Sequence, residues 1–112
     1  MKLPNGDSAV IANEKLQAYC LNPDHEDGKH KAHLFSLLLG INQDNAYILK
    51  GELLKAAQDN EAIYTKTTEH GDHYHVDFEM EGKRRKYIIR SLWIVKSYEN
   101  FPRLSSCYIR HK

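Results

Sequence analysis

In Lys29-His30-Lys31 an imidazole stands between two cations, and His33 follows on the same segment. Neighbouring positive charge favours the neutral form of His30, and so does the positive end of a helix beginning there. A neutral imidazole accepts a proton near neutral pH, while Lys29 and Lys31 could hold a phosphate. The same residues also make an ordinary solvated helix start. The second set lies in the last third of the chain. Lys86–Lys96 and Pro102–Arg110 carry Arg90, Trp93, Arg103, Ser106 and Tyr108. Guanidinium, hydroxyl and phenol groups on one sheet are what a phosphodiester site uses, for charge, hydrogen bonding and proton transfer. Aromatic residues between basic ones suit stacking of unpaired bases. Charged strand ends that protect a sheet edge would look the same.

A third cluster, His70, His73 and His75 with Asp72 and Asp77, contains a His-x-His spacing that a strand would place on one face. It has no matching Cys/His pair elsewhere, so it is a weak zinc signal, and no metal or other cofactor is expected. A nucleotide-binding glycine loop, a paired-carboxylate motif and a nucleophile elbow are all missing from the sequence.

The net charge of +1 conceals two halves of opposite sign. Residues 82–112 hold nine Lys/Arg against one acid, Glu99, whereas residues 1–81 hold seven Lys/Arg against fourteen Asp/Glu. Such asymmetry bears on partners rather than on fold. At 112 residues the chain is expected to form a single domain over 1–112, with a core of modest size. No purely apolar run, Leu37–Leu39 included, approaches the length needed to cross a bilayer, so no membrane partner is expected. The N-terminus lacks the apolar core of a signal peptide, which makes a cytoplasmic location the expectation. Cys20 and Cys107 then read as buried small residues rather than a disulfide.

The elements that must position these groups follow from periodicity. Asn13 reads as an N-cap for a short helix from Glu14 to Leu21, stopped by Pro23. A second helix opens at Lys29-His30-Lys31 and runs to Leu39, with Gly40 as its stop. Asn42 or Asp44 caps a third helix to about Asp59, with Tyr47, Leu49, Leu53, Leu54 and Ala57 on its buried face. After Asn60 the period changes to alternation. Ile63–Thr68 is one strand, Tyr74–Met80 a second with one apolar and one polar face, and Glu81-Gly82-Lys83 a tight hairpin into the third. Pro102 cannot donate to a ladder and is expected at the first residue of the fourth. Both faces of Lys86–Lys96 are largely apolar, which suits a central strand and leaves Arg90 in need of a partner or ligand. The reading is α+β: two to three N-terminal helices on one face of a roughly four-stranded antiparallel sheet.

Three blocks also carry a resemblance: Gly28-Lys29-His30-Lys31-Ala32-x-x-Phe35 with Leu39-Gly40, then Arg90-Ser91-x-Trp93-Ile94-Val95, then Pro102-Arg103-Leu104-x-x-Cys107-Tyr108. From about Lys2 to Ile109 the chain resembles a bacterial family of unknown function. Its members occur as small stand-alone proteins and as C-terminal domains of polymorphic or contact-dependent toxins. The order of helices and then sheet is also similar to the barnase–EndoU–colicin–RelE ribonucleases, a link of fold-level analogy. The resemblance implies metal-independent RNA cleavage through attack of a 2′-hydroxyl on the adjacent phosphate. His30 would be base or acid, Lys29 and Lys31 would position phosphate, and Arg90 would stabilise developing charge. Ser106 and Tyr108 match a hydroxyl-x-aromatic ending found in several of these enzymes. The second acid–base group would be His33 or one of the His70–His75 cluster. Trp93 and Arg103 complete the substrate-binding set. RNA is then the substrate, and an acidic antitoxin or immunity protein the expected partner. The alternative is a non-catalytic module whose basic sheet face docks an acidic protein or nucleic acid.

Overall fold

The computed structural model describes residues 1–110. Three helical segments precede a four-stranded antiparallel sheet, the α+β arrangement expected from the change of period near Asn60. Helix α1 opens as an α-turn at Asn13–Lys15 and continues as a π-helical Leu16–Cys20. Helix α2 makes the same transition, from α-helical Lys29–Leu34 to π-helical Phe35–Leu39. Gly40 ends it at φ 69°, a left-handed conformation natural to glycine, so that the amides of Gly40 and Ile41 reach back to the carbonyls of Ser36 and Phe35. A 3₁₀ turn, Gln43–Asn45, then leads into α3, Ala46–Asp59. Asn42 caps that turn: its side chain accepts from the Asp44 amide at 2.8 Å, and Asn45 Oδ1 accepts from the Asn42 amide at 2.7 Å.

The strands are β1 (Ala62–Thr68), β2 (Gly71–Glu81), β3 (Lys86–Lys96) and β4 (Pro102–Ile109), in the order β1-β2-β3-β4. β2 and β3 pair without interruption from Gly71↔Lys96 to Glu81↔Lys86. Alternation gives the sheet two distinct faces. One carries Tyr74, Val76 and Phe78 from β2, Ile89, Ser91 and Trp93 from β3, and Leu104, Cys107 and Ile109 from β4, all buried. The helices lie on this face and contribute Leu16, Cys20, Phe35, Leu49, Leu53, Ala56 and Ala57 to the same core. Burying each of the larger apolar side chains contributes roughly 1.5–3 kcal/mol. Ser91 is the polar member of the layer, and both its hydrogen-bonding functions are used. Its hydroxyl donates to the Val76 carbonyl at 2.7 Å and accepts from Trp93 Nε1 at 2.8 Å. Pro102 stands at the first residue of β4, and its carbonyl accepts from the Val10 amide, adding one parallel bridge at the strand's outer side.

Several local expectations are corrected. Asn13 lies inside α1, with Ala12 in the cap position and no side-chain cap. Leu49, Leu53 and Ala57 lie on the buried face of α3 as expected, whereas Tyr47 is 73% exposed and Leu54 only partly buried, and Ala46 and Ala56 complete that face. The hairpin between β2 and β3 is wider than a tight Glu81-Gly82-Lys83 turn. Residues 82–85 form the loop, closed by a bond from the Gly82 amide to the Arg85 carbonyl at 2.8 Å. Among the described residues no helix is long and apolar enough to cross a membrane.

Candidate active site on the open face of the sheet

The face turned away from the helices carries the polar half of β2 and the alternate residues of β3 and β4. Strand register decides who meets whom there: Asp77 lies opposite Arg90, and Arg90 opposite Tyr108. Directly opposed residues on one face lie close enough for their side chains to meet. Arg90 donates from Nε to Asp77 Oδ1 and from Nη2 to Oδ2, both at 2.9 Å, a two-pronged carboxylate pair. Arg110 adds Nη1 to Asp77 Oδ2 at 3.2 Å. One carboxylate thus holds two guanidiniums, leaving one positive charge in excess.

These contacts act on the ionisation of every member. The hydrogen bond from Arg90 holds the Asp77 carboxyl below the usual carboxylate range, against the opposing effect of partial burial. Arg90 is held charged by Asp77, with the Tyr108 phenol beside it adding to the effect. His75 stands two residues before Asp77 on the same strand face. Its pKa is lowered first by partial burial and then by the Arg90 charge, so the ring is neutral at pH 7. A neutral imidazole, two guanidiniums and a phenol share this uncovered face.

The expected site residues divide by location. Arg90 and Tyr108 are brought together. Ser106 is adjacent in β4, but the register shift between Leu92 and Trp93 makes Ser105 an extra residue and alters the strand's course. Ser106 Oγ lies 3.9 Å from Cys20 Sγ, on the side of α1. His30 is exposed on α2, in the layer covering the opposite face of the sheet. Lys29 is exposed beside it and lines a cleft of about 450 Å³ with His33, Ser36 and Asp44. Lys31 turns inward, donating to Tyr19 Oη at 2.7 Å. Trp93 is fully buried in the core with its indole N–H satisfied by Ser91, which removes it from any base-stacking role. Arg103 is bound at 2.8 Å through Nε and Nη2 to both carboxylate oxygens of Glu99, the single acid of the basic segment.

His73 and His75 share the open face of β2, as the His-x-His spacing predicted, but each has its own partners. His73 shares a 2.9 Å hydrogen bond with Thr68 Oγ1, while His75 faces the Asp77–Arg90 pair. Among the described residues no group of three or more His, Cys, Asp or Glu is arranged to hold a metal ion. Asp77 and Arg110 are the members that the sequence did not single out for a phosphodiester site, and His75 entered it only as one option for the second acid–base group. Their signal was the polar face of β2 itself: in an antiparallel hairpin, alternation places His75 and Asp77 on the side where Arg90 needs a partner.

No curated protein and no solved structure matches this chain significantly. A family model does match, over residues 2–111, and the chain therefore belongs to the family described as a domain of unknown function, DUF6883.

Proposed function

We propose that the open face of the sheet is a ribonuclease site that cleaves RNA by transesterification, with His75 in the role expected of His30. The observation that carries this reading is the sharing of one uncovered face by His75, Arg90 and Tyr108. A neutral His75 takes the proton of the 2′-hydroxyl as its oxygen attacks the adjacent phosphorus. The bond to the 5′-oxygen breaks, and the Tyr108 phenol supplies the proton to that leaving oxygen. Arg90 and Arg110 face the charge that develops on the non-bridging oxygens. Asp77 fixes the Arg90 guanidinium in place before substrate arrives, which lowers the cost of ordering it. In this reading the protein is toxin-like, acts in the cytoplasm and is neutralised by an acidic antitoxin.

A second reading is supported by Ile63 and Ile88, which lie on the same face and are 53% and 39% exposed. Apolar side chains flanking a net positive cluster also suit a non-catalytic module that docks an acidic protein. Incubating the protein with total RNA in chelator, wild type beside Arg90→Ala, separates the two. Cyclic phosphate ends that appear with wild type and not with the variant support the ribonuclease. RNA left intact by wild type favours the docking module.

A further inference from the structure

At the outer side of β4 the chain around Val10 closes a small cleft. The Val10 amide donates to the Pro102 carbonyl at 2.9 Å, and the Leu104 amide donates to the Val10 carbonyl at 3.0 Å. These bonds fix the segment beside the strand, and the cleft between them has a volume of about 220 Å³. Ile94 and Leu104 give it apolar walls, and Lys15, Lys96, Arg103 and Ser105 line the rest. Ser105 owes its place to the bulge: Leu92 pairs with Ser106 and Trp93 with Leu104, which leaves Ser105 without a partner in the ladder. Bulges of this kind re-aim a side chain. The charges around the cleft do not cancel. Arg103 donates from Nε and Nη2 to Glu99, both at 2.8 Å, and its guanidinium stands 5.1 Å from the Phe101 ring centroid. It is therefore held in place while its Nη1 hydrogens remain for a ligand. Lys15 and Lys96 make no ion pair among the described residues. Glu14, beside Lys15 in sequence, lines the neighbouring cleft instead. Three cations against Glu99 leave a net charge of +2. Lys15 is exposed and the other two cations are half-buried, so a solute reaches all three.

From this arrangement we infer that the cleft binds a small phosphate monoester, whose dianion meets the net charge of the three cations and Glu99. The phosphoryl oxygens accept from the Lys15 and Lys96 ammonium groups and from Arg103 Nη1, and the Ser105 hydroxyl supplies a further donor. The organic part of the ester lies against Ile94 and Leu104. A guanidinium already fixed by Glu99 loses little freedom when the phosphate arrives. A phosphodiester or a sulfate ester carries a single charge and leaves one cation without a counterpart. The cleft is separate from the Asp77–Arg90 pair, since Ile94 lies four residues along β3 from Arg90, about 13 Å at the rise of a strand. The inference does not depend on the ribonuclease reading.

The test titrates the full chain with phenyl phosphate, and separately with phenyl sulfate, at pH 7.5, followed by amide NMR shifts. The expected result is a saturable set of shifts centred on residues 10–15 and 94–105, with phenyl sulfate bound about tenfold more weakly. Lys15→Ala and Lys96→Ala should each raise the Kd for phenyl phosphate about tenfold. Lys66→Ala, which removes the same charge from an exposed position on β1, should leave it unchanged. Shifts that never saturate, or that centre elsewhere, would overturn the inference. So would equal affinity for the two esters, or an equal loss in Lys66→Ala. Because the comparison of phosphate with sulfate needs no substitution, a variant that does not fold leaves the test intact.

Discussion

Asp77 holds Arg90 through two hydrogen bonds of 2.9 Å on the face of the sheet that the helices leave open. The two side chains are 30% and 24% exposed, enough burial for the pair to matter and enough access for a ligand to reach it. An arginine among apolar neighbours on a central strand demands such a partner, since a partly buried charge without one is costly.

Asp77→Ala should therefore destabilise the protein by on the order of 1–3 kcal/mol, because it strands Arg90 and releases Arg110. Urea unfolding of Asp77→Ala, Arg90→Ala and the double variant gives the coupling. A double-variant loss much smaller than the sum of the two single losses is the expected outcome; strict additivity would show that the pair contributes nothing.

The pair also sets a pH dependence. Asp77 has a folded pKa below its ordinary value of 3.8, so its contribution is complete above that value and is lost as pH falls through the folded pKa. The stability gap between wild type and Asp77→Asn should be constant near neutrality and shrink below pH 3.8. A gap that persists unchanged in acid would separate the stability effect from ionisation.

His75 shifts in the same direction, but chiefly because of burial. Its folded pKa is below 6.5, so protonation is resisted in the native state and the ring stays neutral through that value. The acid limb of the RNA cleavage rate should have its midpoint below 6.5, and the His75 ring, followed by NMR, should titrate higher in Arg90→Ala, where a nearby cation is gone. A midpoint at or above 6.5 would assign the limb to another group.

In the core, Ser91→Ala removes the acceptor of the Trp93 indole N–H and the donor to the Val76 carbonyl. A loss of about 1–3 kcal/mol is expected in chemical denaturation, with the single tryptophan of the chain as the fluorescent probe.

Gly28 is a site of close approach rather than of special backbone angles. A methyl group there would lie 2.1 Å from the Tyr19 carbonyl oxygen, so α1 and α2 would have to separate. Gly28→Ala should cost about 1–3 kcal/mol and loosen the Lys31–Tyr19 bond, read as faster hydrogen exchange over residues 16–39.

The sheet was legible because its signals were redundant. Alternation in Tyr74–Met80, the β-branched run at Lys86–Lys96 and Pro102 at a strand start all point to one arrangement. The change of period after Asn60 likewise set helices before strands. The site was legible only in half. Arg90 and Tyr108 could be named because a charge and a phenol stood in apolar strands, but their neighbours depend on register. A hairpin loop of residues 82–85 pairs Glu81 with Lys86 and thereby sets Asp77 opposite Arg90; a shorter turn would have set it opposite another residue. Trp93 failed as a substrate contact for the reason that aromatic residues often do: alternation says that it differs from Arg90 in face, and the core takes the larger apolar surface. His30 drew notice through its cationic neighbours in sequence, yet nothing in a local motif says which side of the sheet its helix will cover.

The most direct measurement compares His75→Ala with His30→Ala in single-turnover RNA cleavage, in chelator, with the fold of each variant verified by tryptophan emission. If the open face carries the chemistry, His75→Ala loses about a hundredfold or more in rate and His30→Ala cleaves like wild type. Loss of cleavage in His30→Ala with His75→Ala unaffected would contradict the account and move the site to α2.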